Sequence, residues 1–254
     1  MNDRPLHGSR TKPEAFRPGH VFVMPAGATW LNRDKPRPYV LGTACAPDTY
    51  GTLIYGSTRE TELAASASHL QVMPRLSGVN ANGLRERTFF YPGVLLATRY
   101  ALLPPHTGSL GTALHDLRRA LHRALGIGAG TPPHSRRGRI VRLHRSFETV
   151  LRTRHAVLLT EDRYSLENRY QVIVPIIRGD GVREDESVVR VPRQPWFEIF
   201  SEPTSTALLP APVIQSVWHR DDIVDETGFV IDSATLDALE ERLCLLFGIN
   251  APLE

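Results

Sequence analysis

Lysine and cysteine are nearly missing from this 254-residue chain. Only Lys12 and Lys35 are lysines, so arginine carries almost all of the positive charge. The two cysteines, Cys45 and Cys244, lie far apart and lack the short spacings of a zinc knuckle or a disulfide framework. That pattern excludes a small stapled secreted domain and fits a reducing compartment. Long apolar runs are also missing: the longest, around Val94–Pro105, is interrupted by Arg99 and is too short to span a bilayer. The opening residues, MNDRPLHGSRTKPEAFRPG, are polar and contain proline, with no apolar core of a signal peptide. There is no H-E-x-x-H, no P-loop and no G-x-G-x-x-G, so no motif announces metalloprotease, nucleoside-triphosphate or dinucleotide chemistry. A cytoplasmic soluble protein is expected, with no metal, no other cofactor and no membrane partner.

What is present is a repeat. Residues 114–128, LHDLRRALHRALGIG, share their apolar frame with residues 236–250, LDALEERLCLLFGIN. Leu114, Leu117, Leu121, Leu125, Gly126 and Ile127 recur as Leu236, Leu239, Leu243, Phe247, Gly248 and Ile249, at a constant shift of 122 residues. An offset of that length reads as a duplicated domain and not as a short solenoid unit. Leu110, Leu114, Leu117, Leu121 and Leu125 lie on one face of a helix that Ser109 or Thr112 could cap and Gly126 ends. A second helix starts near Asp232, a good N-cap residue. Short apolar segments precede each helix. HVFVMP (20–25), PYVLGTA (38–44), GTLIYGST (51–58), HLQVM (69–73) and RTFFYPGVLLATRYALL (87–103) come before the first. RGRIVRLH (137–144), HAVLLTED (155–162), YQVIVPII (170–177), ESVVRVP (186–192) and APVIQSVWH (211–219) come before the second. Short strands at close intervals point to small barrels. GIGAGTPPHSRRG (126–138) has the glycine and proline content of a linker. The expected organisation is a disordered tail 1–15, a barrel domain 16–128, a linker 129–136 and a second barrel domain 137–254.

The net charge of +3 hides an asymmetry. Residues 1–126 hold 15 Lys and Arg against 8 Asp and Glu, and residues 127–254 hold 15 against 19, so the halves are +7 and −4. The imbalance points the first half toward a polyanion, and it fits equally an arginine-rich composition that tracks the genome.

The order of the segments and several motifs resemble the PemK/MazF family of toxins from toxin–antitoxin systems. RPGHVFV (17–23) and RGRIVRL (137–143) stand where that family has an R-G-[DE]-I/V opening strand. RPYVLG (37–42) matches its Arg-Pro second strand, and RHAVLL (154–159) keeps the arginine without the proline. TLIYGST (52–58) ends in Thr58 where the family has a P-I-T-like ending, whereas QVIVPII (171–177) ends in Ile177. ALHRALGI and ERLCLLFGI resemble the closing helix. The resemblance covers roughly 16–127 and 137–250, and departs at GATWLNRDK (27–35), at RSFETVLRT (145–153) and in the loop 73–88.

The resemblance implies a mainly β, α+β fold: two tandem SH3-like barrels of the CcdB/PemK type, each closed by its C-terminal helix. They would form a pseudo-dimer within one chain, itself a monomer or a dimer of chains. It implies a metal-independent endoribonuclease, an mRNA interferase, that cuts single-stranded RNA by attack of the 2′-hydroxyl on the adjacent phosphate. The site would lie mainly in the first repeat, and a cognate antitoxin would be a partner. Arg37 and Thr58 fall where the family has its catalytic pair. An arginine fork can hold two phosphoryl oxygens, and a threonine hydroxyl can donate to one of them. The candidate RNA-binding residues are Trp30, Arg33, Lys35, Arg59, Arg85, Arg87 and Arg154, with Trp30, Tyr39 and Tyr55 as stacking surfaces for bases. Arg154 matches Arg37, but Ile177 cannot hydrogen-bond, so the second site is expected to be inactive. His155, beside Arg154, is a weaker candidate acid or base. The alternative is a catalytically inactive module that binds nucleic acid or, like CcdB-type toxins, protein.

Overall fold

The structure is a computed structural model and describes residues 16–29, 33–43, 50–59, 69–75, 81–99, 102–128, 136–160, 170–179 and 187–249. The expected tail 1–15 and most of the expected linker lie outside them. The first half contains β1 (His20–Met24), β2 (Arg37–Leu41), β3 (Tyr50–Ser57), β4 (Leu70–Val72), β5 (Thr88–Arg99), β6 (Gly108–Ser109) and α1 (Ala113–Leu125). The second contains β7 (Arg139–Leu143), α2 (Ser146–Leu151), β8 (His155–Leu158), β9 (Tyr170–Pro175), β10 (Ile177–Arg178), β11 (Val188–Pro192), β12 (Thr206–Pro210), β13 (Gln215–Trp218), α3 (His219–Asp222), β14 (Ile223–Val230) and α4 (Ser233–Phe247). Every strand pairing is antiparallel, and the fold is mainly β with few helices.

The first sheet has the order β4-β5-β3-β2-β1-β6. The second half has a five-stranded sheet, β13-β9-β8-β7-β14, and a three-stranded one, β10-β12-β11. These orders are the same once two breaks are allowed for. β5 is one 12-residue strand that pairs with both β4 and β3. Its counterpart is interrupted at Ala211–Val213, so that β12 pairs with β10 and β11 while β13 pairs with β9. Hydrogen bonds outside the ladders repeat as well. Gly19 N–H donates to Leu41 O at 2.7 Å, and Gly138 N–H to Leu158 O at 2.8 Å. Leu110 N–H donates to Gly19 O at 2.9 Å, and Ile231 N–H to Gly138 O at 3.0 Å. Both glycines have left-handed φ values, 90° and 81°, which a side chain would resist. This register aligns Arg37 with Arg154, Ser57 with Ile177 and Thr58 with Arg178. The threonine's counterpart is therefore one residue beyond the Ile177 read from sequence.

Strand alternation sorts the side chains onto two faces. Val21, Val40, Ile54, Phe90 and Leu95 share one core with Leu117, Leu121 and Leu125 of α1 and Leu236, Leu239, Leu243 and Phe247 of α4. On the opposite face of the first sheet lie Phe22, Tyr39, Leu41, Leu53, Tyr55, Phe89 and Tyr91. Val141, Leu143, Ala156, Leu158, Ile173 and Val217 occupy the matching face of the second. α1 lies against β4 and β5, and α4 against β11 and the 211–213 turn. The shared core runs across the halves, and so do polar contacts. Ser216 Oγ accepts from Leu95 N–H at 2.8 Å and donates to Gly93 O at 3.0 Å. Arg137, 1% exposed, donates to Leu125 O at the end of α1, to Leu159 O and to the carboxylate of Glu240 in α4.

Asp232 caps α4 as expected, accepting from Thr235 N–H at 2.8 Å. Burial alone would raise its pKa, but the bonds from Thr235 outweigh that and hold it low. Thr112 precedes α1 without a side-chain cap. No helix among the described residues is long and apolar enough to cross a membrane. Arg137→Ala is expected to cost about 3–5 kcal/mol in denaturant unfolding, because the Leu125 and Leu159 carbonyls would lose a buried donor and Glu240, still bonded by Gly128 N–H, would lose its ion-pair partner. Arg142→Ala removes an exposed 3.4 Å pair with Asp225 and should cost under about 1 kcal/mol. Similar losses in the two variants would contradict the role assigned to Arg137.

Candidate functional site

The polar groups of the first half gather at one end of its sheet. Arg37 opens β2 opposite Met24, the last residue of β1; Ser57 ends β3 opposite Phe89; Val72 ends β4 opposite Thr88. Arg33 and Lys35 lie just before β2, Arg59 just after β3, Arg75 just after β4, and Arg85 and Arg87 just before β5. Four strands thus deliver their arginines to a common rim.

Arg37 is the half-buried centre. Its Nη1 donates to Ser57 Oγ at 3.1 Å, and its guanidinium carbon lies 5.9 Å from the centre of the Tyr55 ring. Ser57 Oγ also accepts from Arg59 N–H at 3.2 Å and hydrogen-bonds the Tyr55 phenol. Tyr91 Oη donates to Arg59 O at 3.0 Å, which fixes the turn that carries that N–H. Beneath this network Tyr39 and Tyr55 pack edge to face with ring centres 5.6 Å apart, and Tyr55 and Tyr91, tilted by 30°, are 6.1 Å apart. Thr29 Oγ1 and Tyr39 Oη are 2.8 Å apart. His69, just before β4, sets its ring 5.5 Å from Phe89 and 6.4 Å from Tyr91. The Arg87 guanidinium stands over Phe89 at 5.1 Å.

The cations at this end make no ion pair among the described residues, although Asp34 and Glu86 share the rim with them. Among the described residues Arg37 has no carboxylate partner, and its Nε–H is enclosed without an acceptor. Arg33, Lys35, Arg59, Arg75, Arg85 and Arg87 likewise make no ion pair among the described residues. A partly desolvated guanidinium without a counter-ion is unfavourable alone and is suited to receive an anion. Burial pushes the Tyr39 phenol up to about 12, against the opposing hydrogen bond with Thr29, and it pushes Tyr55 up as well. Both phenols therefore keep their protons near neutrality.

The candidates from sequence fall as follows. Thr58 is half-buried and stands one residue past the hydroxyl that Arg37 reaches. Arg33, Lys35, Arg59, Arg85 and Arg87 are exposed on the rim. Trp30 lies outside the described residues. The expectation that Tyr39 and Tyr55 offer stacking surfaces is overturned: they are 0% and 8% exposed and form the floor under Arg37. Ser57 and Tyr91 were not singled out from sequence. Period-two alternation in TLIYGST, which sets Tyr55 and Ser57 on one face, was the available signal for the first.

The second half supplies a comparison within the same chain. Arg154 donates weakly from Nε to Leu143 O at 3.4 Å. Ala156, Pro175, Ile177 and Pro210 stand where the first half has Tyr39, Tyr55, Ser57 and Tyr91. The His155 pKa is lowered by burial and by Arg142 and Arg154. Arg178 is held by Glu202, and Glu226 bridges Arg136 and Arg139. Among the described residues no three His, Cys, Asp or Glu side chains gather into a metal-ligating group.

No family model matches the chain, and no curated protein matches it. Among solved structures it is similar to an endoribonuclease in complex with its cognate antitoxin from a mycobacterial species, at 17% identity over 46% of this chain and 97% of that one, with a TM-score of 0.35.

The tyrosine floor has a pH signature. An unfolded tyrosine loses its proton near 10, whereas Tyr39 in the fold does so near 12. Between those values only the unfolded chain is deprotonated, so stability must fall as pH rises. Urea midpoints measured from pH 9 to about 12 should decline in the native protein, and less steeply in Tyr39→Phe. Parallel declines would show that Tyr39 titrates normally.

Proposed function

We propose that the chain is a PemK/MazF-type toxin built as a tandem pair of small barrels, 16–128 and 137–254, that pack as a pseudo-dimer. In this reading it is a metal-independent endoribonuclease for single-stranded RNA, with its chemistry confined to the first half and a cognate antitoxin as its natural partner. The observation that carries the reading is Arg37: half-buried, hydrogen-bonded to a strand-end hydroxyl, without a counter-ion among the described residues and ringed by unpaired cations. Its counterpart Arg154 has lost those polar companions.

The chemistry follows from the groups present. Attack of a 2′-hydroxyl on the adjacent phosphate concentrates negative charge on the non-bridging oxygens. Nη1 of Arg37 is committed to Ser57 and Nε is enclosed, which leaves Nη2 as the donor for a phosphoryl oxygen. Ser57 holds the guanidinium in place, and Thr58, next along the chain, is the hydroxyl left to meet substrate. Arg59, Arg85 and Arg87 would bind flanking phosphates. The enclosure of Arg37 Nε and the 1% exposure of Ser57 favour one second reading, a module that grips an anionic partner without turnover.

A fluorescent single-stranded RNA incubated with protein and chelator separates the two. Arg37→Ala should lower cleavage ~100- to 1000-fold, the usual effect of losing one donor to the transition state. Arg154→Ala should lower it much less. Equal losses on the same RNA would rule out an asymmetric site, and tight binding with no cleavage would select the second reading. Binding should also weaken with salt: four neutralised phosphates give a slope near −3 in log K against log salt, about −0.7 for each on a single strand. Arg85→Glu and Arg87→Glu should flatten that slope, and an affinity indifferent to salt and to both reversals would remove the nucleic-acid assignment.

A further inference from the structure

We infer that the Tyr55 hydroxyl is the second donor to the phosphoryl group that Arg37 receives, so that one phosphate is held between a cation and a neutral O–H. The inference rests on reading the Arg37 end as the phosphate site of an RNA-cleaving centre. With Nη1 given to Ser57 and Nε enclosed, Arg37 offers such a group only Nη2. One donor attracts a phosphate; a second beside it fixes its orientation.

A count of hydrogens at Ser57 identifies that second donor. A hydroxyl has one hydrogen and two lone pairs. Arg37 Nη1 and Arg59 N–H can only donate, and both donate to Ser57 Oγ, at 3.1 and 3.2 Å. They occupy both lone pairs, so in the bond between Ser57 and Tyr55 the serine donates and the phenol oxygen accepts. The Tyr55 hydrogen is left over. The flanking phenols are turned to other partners: Tyr91 donates to Arg59 O at 3.0 Å, and Tyr39 Oη lies 2.8 Å from Thr29 Oγ1. Among the described residues the Tyr55 hydroxyl meets no partner besides Ser57.

The position suits the role. Tyr55 Oη and Arg37 Nη1 bond the same serine oxygen, so they stand at most about 6 Å apart, within the reach of one phosphoryl group. The guanidinium carbon of Arg37 is 5.9 Å from the centre of the Tyr55 ring. Tyr55 is 8% exposed where Ser57 is 1% exposed, so the phenol keeps the surface that the serine lacks. Burial pushes the Tyr55 pKa up, against Arg37 and Ser57, and the hydrogen stays in place to be donated. In the second half Pro175, which has no hydroxyl, stands where Tyr55 does, and Arg154 turns its Nε to a backbone carbonyl.

Fluorescence anisotropy with a single-stranded 2′-deoxy oligonucleotide provides the test. That probe keeps the phosphates and has no 2′-hydroxyl to cut itself with. Thermal melts accompany each variant. Tyr55→Phe keeps the ring and removes only the O–H; it should weaken binding ~10- to 100-fold, the usual loss of a hydrogen bond to a charged group. The same change made in a Ser57→Ala protein should cost a similar factor, because the hydroxyl acts on the phosphate directly and not through the serine. If Tyr55→Phe binds as the native protein does while Arg37→Ala binds weakly, the Tyr55 assignment fails and the phosphate site stands. If Tyr55→Phe weakens binding in the native protein but not in Ser57→Ala, the phenol only orients Ser57 and the assignment fails. If Arg37→Ala binds as well as the native protein, the phosphate site and the Tyr55 assignment fall together. If the native protein cuts RNA without binding the probe, the Tyr55 assignment fails and the RNA-cleaving reading stands; if it does neither, both fall.

Discussion

Two carbonyls and a carboxylate converge on the guanidinium of Arg137, which ties the end of α1 in the first half to β8 and α4 in the second. Removing a guanidinium from water is costly unless strong acceptors replace the water. Here the acceptors come from α1, from the end of β8 and from α4. The last carbonyls of a helix lack partners within it, so Arg137 meets a need of α1 while it anchors α4 through Glu240. The arrangement has no twin. Pro18 takes the place of Arg137 in the first half, and Arg118 takes the place of Glu240. Arg118 lies instead against Gly248, where an added Cβ would come within 2.6 Å of its Nη2, at the end of α4 that favours a cation. A backbone pattern that repeats is thus held by unlike contacts in its two halves.

Repetition of the backbone makes the difference in side chains informative. The ladders, the glycine turns and the burial of strands β1 and β7 agree between halves. What differs is which face carries hydroxyls and which arginines have partners. In the second half Arg136, Arg137, Arg139, Arg142 and Arg178 each meet a carboxylate, whereas the rim of the first half is unpaired among the described residues. Arg33, Arg37, Arg59, Arg75, Arg85 and Arg87 share one end of one sheet without an ion pair among the described residues, while other arginines without one, such as Arg99 and Arg154, lie elsewhere.

The parts of this architecture legible in sequence are those fixed by short-range physics. The leucine stripes of α1 and α4 and the glycines that end them need only a period of 3.6 and a left-handed C-cap, which Gly126 and Gly248 provide. Arg37 is visible because an arginine before an apolar strand stands at a boundary. β14 was not visible: IVDETGFV is an edge strand with two register shifts, so its apolar residues keep no period. Tyr39 and Tyr55 were misjudged because a tyrosine's amphipathic ring suits both a surface and a core, and only the far strands decide which. Ser57 was passed over for Thr58 because the register at the end of β3 depends on β5, more than thirty residues away.

That register has its own cause, in a residue with no chemistry. A Cβ on Gly56 would come within 2.8 Å of the Phe90 ring and 2.9 Å of Pro38 O. Only a glycine lets β3 pass so close to both neighbours, and the pairing with β5 shifts register between Ile54 and Gly56. The strand survives the shift and carries Ser57 to Arg37 on β2. The matching residue in the second half is Ile176, fully buried in the shared core. There the strand does not survive: it ends at Pro175 and resumes at Ile177, and the single sheet splits into two. One missing side chain thus separates a half whose strand ends converge on an arginine from a half whose arginine stands without that company.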